Sequence, residues 1–232
     1  PVLVKLAQAG KVMFKGKANP KFNNIRALFP IPSLTMHFVM SNDSGVTKFS
    51  DLEGKTILLG KGSFGAKEGA KYLKLFGLEG KVKLANVELN NAVPAIKNRQ
   101  IDGFVTAGSY PAPNVLEAAA GVGVSLISLS DAQVKKTKRT RLVIPAGTYP
   151  EVNQDTVTTS LPVIAYTISN MDDATAYQLT KTYWEQITSM GKAFPWWNGV
   201  SAKMLTNIYG KIHAGALRYY DEAGITVPTA NR

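Results

Sequence analysis

Thr56-Ile57-Leu58-Leu59-Gly60-Lys61-Gly62-Ser63-Phe64-Gly65-Ala66-Lys67-Glu68-Gly69-Ala70-Lys71-Tyr72-Leu73-Lys74-Leu75-Phe76-Gly77 is the stretch that decides the fold. Residues 56–59 form an apolar run of strand length bounded by a glycine, as a buried strand requires. Residues 60–65 hold three glycines and read as a tight turn. Residues 66–75 have a helical pattern, and Gly77 follows where a helix C-terminus favours glycine. Moving toward the C-terminus, the unit recurs: a strand over 82–89, a helix over 92–99, a strand over 101–106, a helix over 111–120 and a strand over 124–129. Strand and helix in alternation predict an α/β architecture around a parallel sheet.

The flanks read differently. Residues 2–10 predict a short helix, and residues 15–24 a polar loop. Residues 25–30 and 34–40 predict two strands with a break at Pro30 and Pro32, because proline cannot donate to a sheet ladder. Residues 141–144 and 156–168 are extended and β-branched. Helices are expected over 172–190, with Asp172 and Asp173 at the end that favours negative charge, and over 202–209 and 214–223. The central α/β unit thus reads as an insertion: a lobe of residues 39–161 set between 1–38 and 162–232, which together form the other lobe. Two extended crossings, near 31–39 and 157–166, suit a hinge. The cleft between hinged lobes is the expected ligand site.

Composition narrows the function. The 232 residues are 45% hydrophobic and 19% charged, the balance of a folded domain. Lysine plus arginine number 27 against 16 acidic residues, a net charge of +11. That charge suits an anionic metabolite, a nucleic acid or an anionic surface. The densest basic run is Lys135, Lys136, Lys138, Arg139 and Arg141. It is expected to be a solvated loop, not a binding arm. Cysteine is absent, which excludes disulfides and thiol chemistry. No apolar run reaches the length of a bilayer-spanning helix. The chain opens on Pro1 without an initiator methionine, so a signal peptide is expected upstream.

Two turns are candidate binding elements. Gly60–Ala66 follows a strand and opens a helix, whose first amides lack internal acceptors and suit an anion. It lacks the Gly-Lys-Ser/Thr ending of a phosphate loop and the spacing of a dinucleotide fingerprint. An ordinary strand-to-helix turn is the competing reading. The second turn, Ala107-Gly108-Ser109-Tyr110-Pro111, also follows a strand and opens a helix, with Ser109 as a cap in the competing reading. Both turns lie at the carboxyl ends of strands, where α/β sheets collect ligands. The candidate ligand-binding residues are therefore Lys61, Ser63, Phe64, Gly65, Ala66, Ser109 and Tyr110, with Thr35 near the first crossing and Tyr149 near the second.

Catalytic and metal constellations are missing. The two histidines, His37 and His213, are isolated in sequence, and His37 sits among apolar neighbours as a packed or hinge residue. There is no nucleophile elbow, no His-x-x-x-His and no acidic cluster. No enzyme activity, metal or cofactor is expected. The aromatic residues of the last quarter, Tyr183, Trp184, Phe194, Trp196, Trp197, Tyr219 and Tyr220, read as core.

Six stretches resemble the TAXI-type solute receptors of tripartite ATP-independent periplasmic (TRAP) transporters, in that family's order. They are residues 25–30 (IRALFP), 51–55 (DLEGK), 60–66 (GKGSFGA), 101–104 (IDGF), 144–149 (IPAGTY) and 212–220 (IHAGALRYY). The resemblance implies a type II periplasmic-binding fold of two hinged α/β lobes. It implies a receptor, periplasmic or lipid-anchored outside the cytoplasm, that captures a small organic acid and hands it to a TRAP permease; a monomer is expected. Glutamate-like and 2-oxo acids are the implied solutes, an aromatic acid being an expectation from Phe64 alone, and nucleic acid is not an expected partner. Two departures qualify this. The family normally has a further N-terminal segment with its own glycine-rich ligand loop, so the first lobe is expected to be incomplete. The family turn reads Gly-Ser-Gly-Thr where this chain has Ser63-Phe64-Gly65-Ala66, which loses two hydroxyls and gains a ring that meets either ligand or core. A receptor for an ABC transporter, or a sensor domain of the same fold, is the alternative. An enzyme such as a hydroxymethylpyrimidine-synthase-like protein or a deaminase, and a nucleic-acid binder, stand further off.

Overall fold

A computed structural model describes all of residues 1–232, and the chain divides into two compact units. One comprises Leu34–Leu161; the other joins Pro1–Ser33 to Pro162–Arg232. The fold is mixed α/β, with strands in the sheet order β3-β2-β4-β1-β7-β6 and β5 paired to β1.

The Leu34–Leu161 unit carries β2 (Thr56–Leu58), α2 (Phe64–Leu75), β3 (Lys83–Ala85), α3 (Ala92–Lys97), β4 (Gly103–Gly108), α4 (Pro113–Val122), β5 (Val124–Leu126), α5 (Asp131–Thr137) and β6 (Thr140–Ile144). It also takes much of two long strands, β1 (Ile25–Ser41) and β7 (Thr156–Ile168), which run on into the other unit. The expected parallel sheet is only partly present. β2 runs parallel to β3 and β4, but β1 is antiparallel to β4 and β5, and β6 is antiparallel to β7. Alternation of strand and helix predicts the parallel part, since a crossover helix returns the chain in the same direction. Every antiparallel pair includes one of the two long strands, β1 or β7.

The sheet has an apolar cluster on each face. Met36, Phe38 and Met40 point to one, with Tyr72 of α2, Ile57 and Val105. Val39 points to the other, with Leu58, Phe104, Val115 of α4 and Tyr149. The period-2 alternation of a strand places neighbours on opposite faces, so β1 serves both.

Three local expectations are corrected. The break at Pro30 and Pro32 does not occur: β1 is continuous from Ile25 to Ser41. Both prolines precede the ladder with β4, which begins at Thr35, so their missing amides cost that ladder nothing. The strand expected over 82–89 shrinks to Lys83–Ala85. The basic run at 135–141 is exposed at Lys135, Lys136, Lys138 and Arg141, as expected, but it is not a loop: it ends α5 and opens β6. Ser130 and Gln133 form a reciprocal cap that starts α5, and Lys138 ends it in a left-handed conformation at φ 56°. Arg139 then reaches back to α2, where Nε lies 2.8 Å from Glu68 Oε2 and Nη2 2.5 Å from Oε1. Glu68 is only 7% exposed, so this is a forked, largely buried ion pair.

The other unit holds α1 (Val2–Gln8), α6 (Asp173–Ala193) and α7 (Ala214–Glu222). α6 and α7 pack with a core of Ala27, Leu28, Ile164, Ala176, Leu205, Ala216 and Tyr220. The close approach needs Gly215, whose missing Cβ leaves room for Asp173 O of α6. Residues 202–209 form a 3-10 turn, Ala202–Asn207, in place of the expected α-helix. The aromatics are core only in part: Tyr220 is buried, with half-buried Trp184 and Tyr219 packed on the same cluster, while Tyr183, Trp196 and Trp197 are half-buried outside it; Phe29 stacks on Tyr183 at 3.9 Å, and Trp184 Nε1 donates to the Tyr220 hydroxyl. Phe194 is half exposed beside Trp196. No helix is long and apolar enough to cross a membrane.

Candidate functional site

β2 ends at Leu58, and Gly60 and Gly62 take left-handed φ angles of 76° and 77°, which a side chain would resist. Ser63 then caps α2: its Oγ accepts from the Ala66 amide at 2.9 Å and donates to Gly60 O at 2.8 Å. The Ser63 amide also turns inward to Gly60 O at 3.3 Å. Of the four amides from Ser63 to Ala66, those of Phe64 and Gly65 therefore have no acceptor in their own unit. They open a 12-residue helix, whose N-terminus carries a partial positive charge. Lys61 is exposed beside them. The Phe64 ring, half-buried, packs against the cluster of Met36, Phe38 and Tyr72.

The two turns are neighbours. A Cβ on Gly65 would stand 3.0 Å from the Ala107 amide nitrogen and 3.2 Å from the Thr106 carbonyl carbon. Gly69, one helical turn on, faces side chains: a Cβ there would stand 3.1 Å from Leu59 Cδ2 and from Val105 Cγ1. Two glycines four apart let α2 lie directly on β4, so the start of α2 abuts the strand end that leads into Ser109 and Tyr110.

The second turn is longer than expected. α4 begins at Pro113, not at Pro111, and its N-cap is Ala112, which has no side-chain acceptor to offer. Ser109 is therefore not a helix cap. It and Tyr110 are half-buried, and burial raises the Tyr110 hydroxyl above its ordinary pKa.

Beneath this turn runs a buried polar chain absent from the sequence reading. The Ala112 amide donates to the Tyr149 hydroxyl at 2.8 Å. That hydroxyl lies 2.8 Å from His37 Nε2, and His37 Nδ1 lies 3.0 Å from Thr35 O. An amide only donates and a carbonyl only accepts, which fixes every proton. Nδ1 carries the imidazole hydrogen, Nε2 accepts, and Tyr149 donates to it. Burial drives His37 down to about 4, so the ring is neutral, and drives Tyr149 upward. Tyr149 and His37 are each 1% exposed, and Thr35 is 0% exposed. Thr35 Oγ1 has no hydrogen-bond partner. It belongs to the residue directly opposite Gly108 in the β1–β4 ladder, and a Cβ on Gly108 would find no atom within 4 Å.

A profile of the NMT1-like family matches residues 2–224. The chain belongs to the NMT1-like family. Among solved structures, this NMT1-like protein is similar to the periplasmic sulfonate-binding protein from Methylobacillus flagellatus KT, at 15% identity over 97% of this chain and 72% of that one, with a TM-score of 0.43. It is similar to the ligand-binding core of GluR0 from Nostoc punctiforme in complex with L-glutamate, at 16% identity over 83% and 77%, with a TM-score of 0.38. It is also similar to a structure described for glutathione import via GshT and the cystine ABC importer TcyBC of Streptococcus mutans, at 14% identity over 76% of this chain, with a TM-score of 0.41. The NMT1-like chain spans only 64% of that last protein. Likeness at this level says nothing about what this chain binds.

Within the Leu34–Leu161 unit, then, the fold gathers Phe64, Gly65, Ala66, Ser109 and Tyr110 around one end of β4. It buries Thr35 and Tyr149 beneath the second turn and leaves Lys61 in solvent. Two unpartnered amide donors and the hydroxyls of Ser109 and Tyr110 suit hydrogen bonding to an oxyanion. No acid–base or nucleophile–base pair accompanies them, apart from the neutral His37–Tyr149 contact, which is shut off from solvent.

Proposed function

We propose that this NMT1-like protein is an extracytoplasmic solute-binding receptor that captures a small organic anion and passes it to a membrane transporter. The carboxylate sits at the Phe64 and Gly65 amides, and Ser109 and Tyr110 contact the solute from the adjoining turn. Lys61 adds a positive field at the rim. The observation that carries the reading is the Gly65 approach to Ala107, which puts two unpartnered helix-opening amides beside a second polar turn. An amide hydrogen bond to a charged acceptor contributes about 1.5–3 kcal/mol, so two are enough to hold a carboxylate.

On this reading the Phe64 ring packs in its unit, and solute selection falls to Ser109 and Tyr110. A TRAP permease is the proposed partner, on the strength of the stretches at 144–149 and 212–220. An adjacent gene encoding an ABC permease instead would reassign the transporter while leaving the receptor role intact.

A thermal-shift screen of carboxylic acids against their neutral amides tests the function. A ligand at about 100 times its Kd stabilises by about 2.7 kcal/mol, which raises Tm by several degrees. At least one acid is expected to do so and its amide is not. A flat response to every acid, or turnover of one of them, rejects the proposal.

A further inference from the structure

We infer that Tyr149 and His37 are positioning residues that hold the Ser109–Ala112 turn in its binding geometry, without touching the solute. The inference rests on the anion-binding reading above and says which residues, hidden from the ligand, set its affinity. Four observations carry it. The Tyr149 hydroxyl takes the Ala112 amide at 2.8 Å, and Ala112 is the residue from which α4 starts. Ala112 has no side chain able to cap that helix, so Tyr149 supplies from 37 residues away the one polar contact the turn receives there. The same hydroxyl is tied to His37 Nε2, and His37 to Thr35 O, so the relay is anchored on the central strand β1. Thr35 pairs with Gly108 in the ladder, immediately before the turn. The relay therefore grips the turn at both ends, at Gly108 through the ladder and at Ala112 through Tyr149.

The contacts have the right character for positioning. Each donor meets one acceptor, and all four linked residues are buried, where a misplaced polar group is costly and one arrangement is strongly preferred. Tyr149 is 1% exposed, and its oxygen is already shared between Ala112 and His37, so it has little left to offer a solute. The relay also fixes where the unpartnered Thr35 Oγ1 sits relative to the turn, opposite the open space at Gly108.

The test uses acetate, the smallest carboxylate, followed by amide NMR shifts in the whole chain. In the wild type, acetate is expected to shift Phe64, Gly65, Ser109 and Tyr110 together. In Tyr149→Phe the ring volume stays and only the hydroxyl goes. Hydrogen exchange at Ala112 is then expected to rise at least about 10-fold over the change at Leu58 or Val105, and acetate to bind roughly 10-fold more weakly. His37→Leu removes the acceptor beneath Tyr149 and repeats the loss. His37→Gln keeps an acceptor and restores binding, a rescue that bulk destabilisation would not show. Wild-type shifts that persist with the same affinity in Tyr149→Phe and His37→Leu overturn the inference alone. Absence of acetate-dependent shifts in the wild type overturns the anion reading and this inference with it.

Discussion

Acidification gives a quantitative check on the buried imidazole. His37 is pushed by burial to about 4 from an ordinary 6.5, opposed only by its hydrogen bond to Thr35 O. The unfolded chain therefore takes up a proton at His37 in a pH range where the folded chain refuses one. The linkage has a definite sign: this group's contribution is complete above about pH 6.5 and is lost as pH falls toward about 4, where the folded ring also protonates. The gap of about 2.5 pH units, at about 1.4 kcal/mol per unit, makes the loss about 3 kcal/mol. His37→Gln keeps a hydrogen-bonding side chain and cannot titrate. Urea unfolding followed by far-ultraviolet circular dichroism, at intervals from about pH 7 to about pH 4.5, isolates the term as the difference between the two proteins. The wild type is expected to lose stability faster, by up to about 1.4 kcal/mol per pH unit near the middle of the window. The ring proton resonances of His37 should show no titration down to about pH 5. Parallel stability curves for the two proteins, or a midpoint near 6.5 for His37, would refute the buried neutral assignment.

Two further substitutions probe the frame around the site. Arg139→Met leaves the Glu68 carboxylate buried without its fork and is expected to cost about 3–5 kcal/mol, with most of it recovered when Glu68→Gln is added, as read by urea unfolding. Gly65→Ala drives a methyl group against the Ala107 and Thr106 backbone, which cannot move aside as a side chain would; a loss of about 1–3 kcal/mol and weaker acetate binding are expected by unfolding and titration.

Much of the fold is written in local pattern. The strand, turn and helix of residues 56–75 appear within two residues of their expected ends, because burial, glycine and helical periodicity agree there. The β-branched run from Thr156 to Ile168 forms a strand with those bounds. The failures share a physical cause. Pro30 and Pro32 interrupt a strand only if their amides are needed, and which amides a ladder needs depends on the partner, not on the strand. α5 was masked by its basic run: charge suggests solvent, but the Ser130 and Gln133 cap decides the local structure, and Glu68, 71 residues away, decides where Arg139 goes. The glycines of the first turn were readable as a place of close approach, although the strand they approach was not. The Ser63 hydroxyl is a ligand candidate by sequence, and in the fold it bonds Gly60 O and the Ala66 amide of its own helix. Nothing near His37 in the sequence announces Tyr149, 112 residues on, and no periodicity links them.

Charge and hydrogen bonding then divide the work of the proposed receptor. The Leu34–Leu161 unit has 15 basic and 11 acidic side chains, a modest excess, while the other unit has 12 and 5. The Leu34–Leu161 unit has no buried cation at its paired turns, and Lys61, exposed to solvent, is screened within about 10 Å at ordinary salt. The broad positive field can draw anions toward the surface, but it cannot tell one carboxylate from another. Discrimination must come from groups fixed in space: two amides held by the Ser63 cap, and a turn held by Tyr149. Fixed neutral dipoles select by geometry, because a solute whose oxygens miss them by an ångström leaves buried donors unpaired. That is why the buried relay, remote from any ligand atom, is the part of this site whose loss should cost selectivity before it costs the fold.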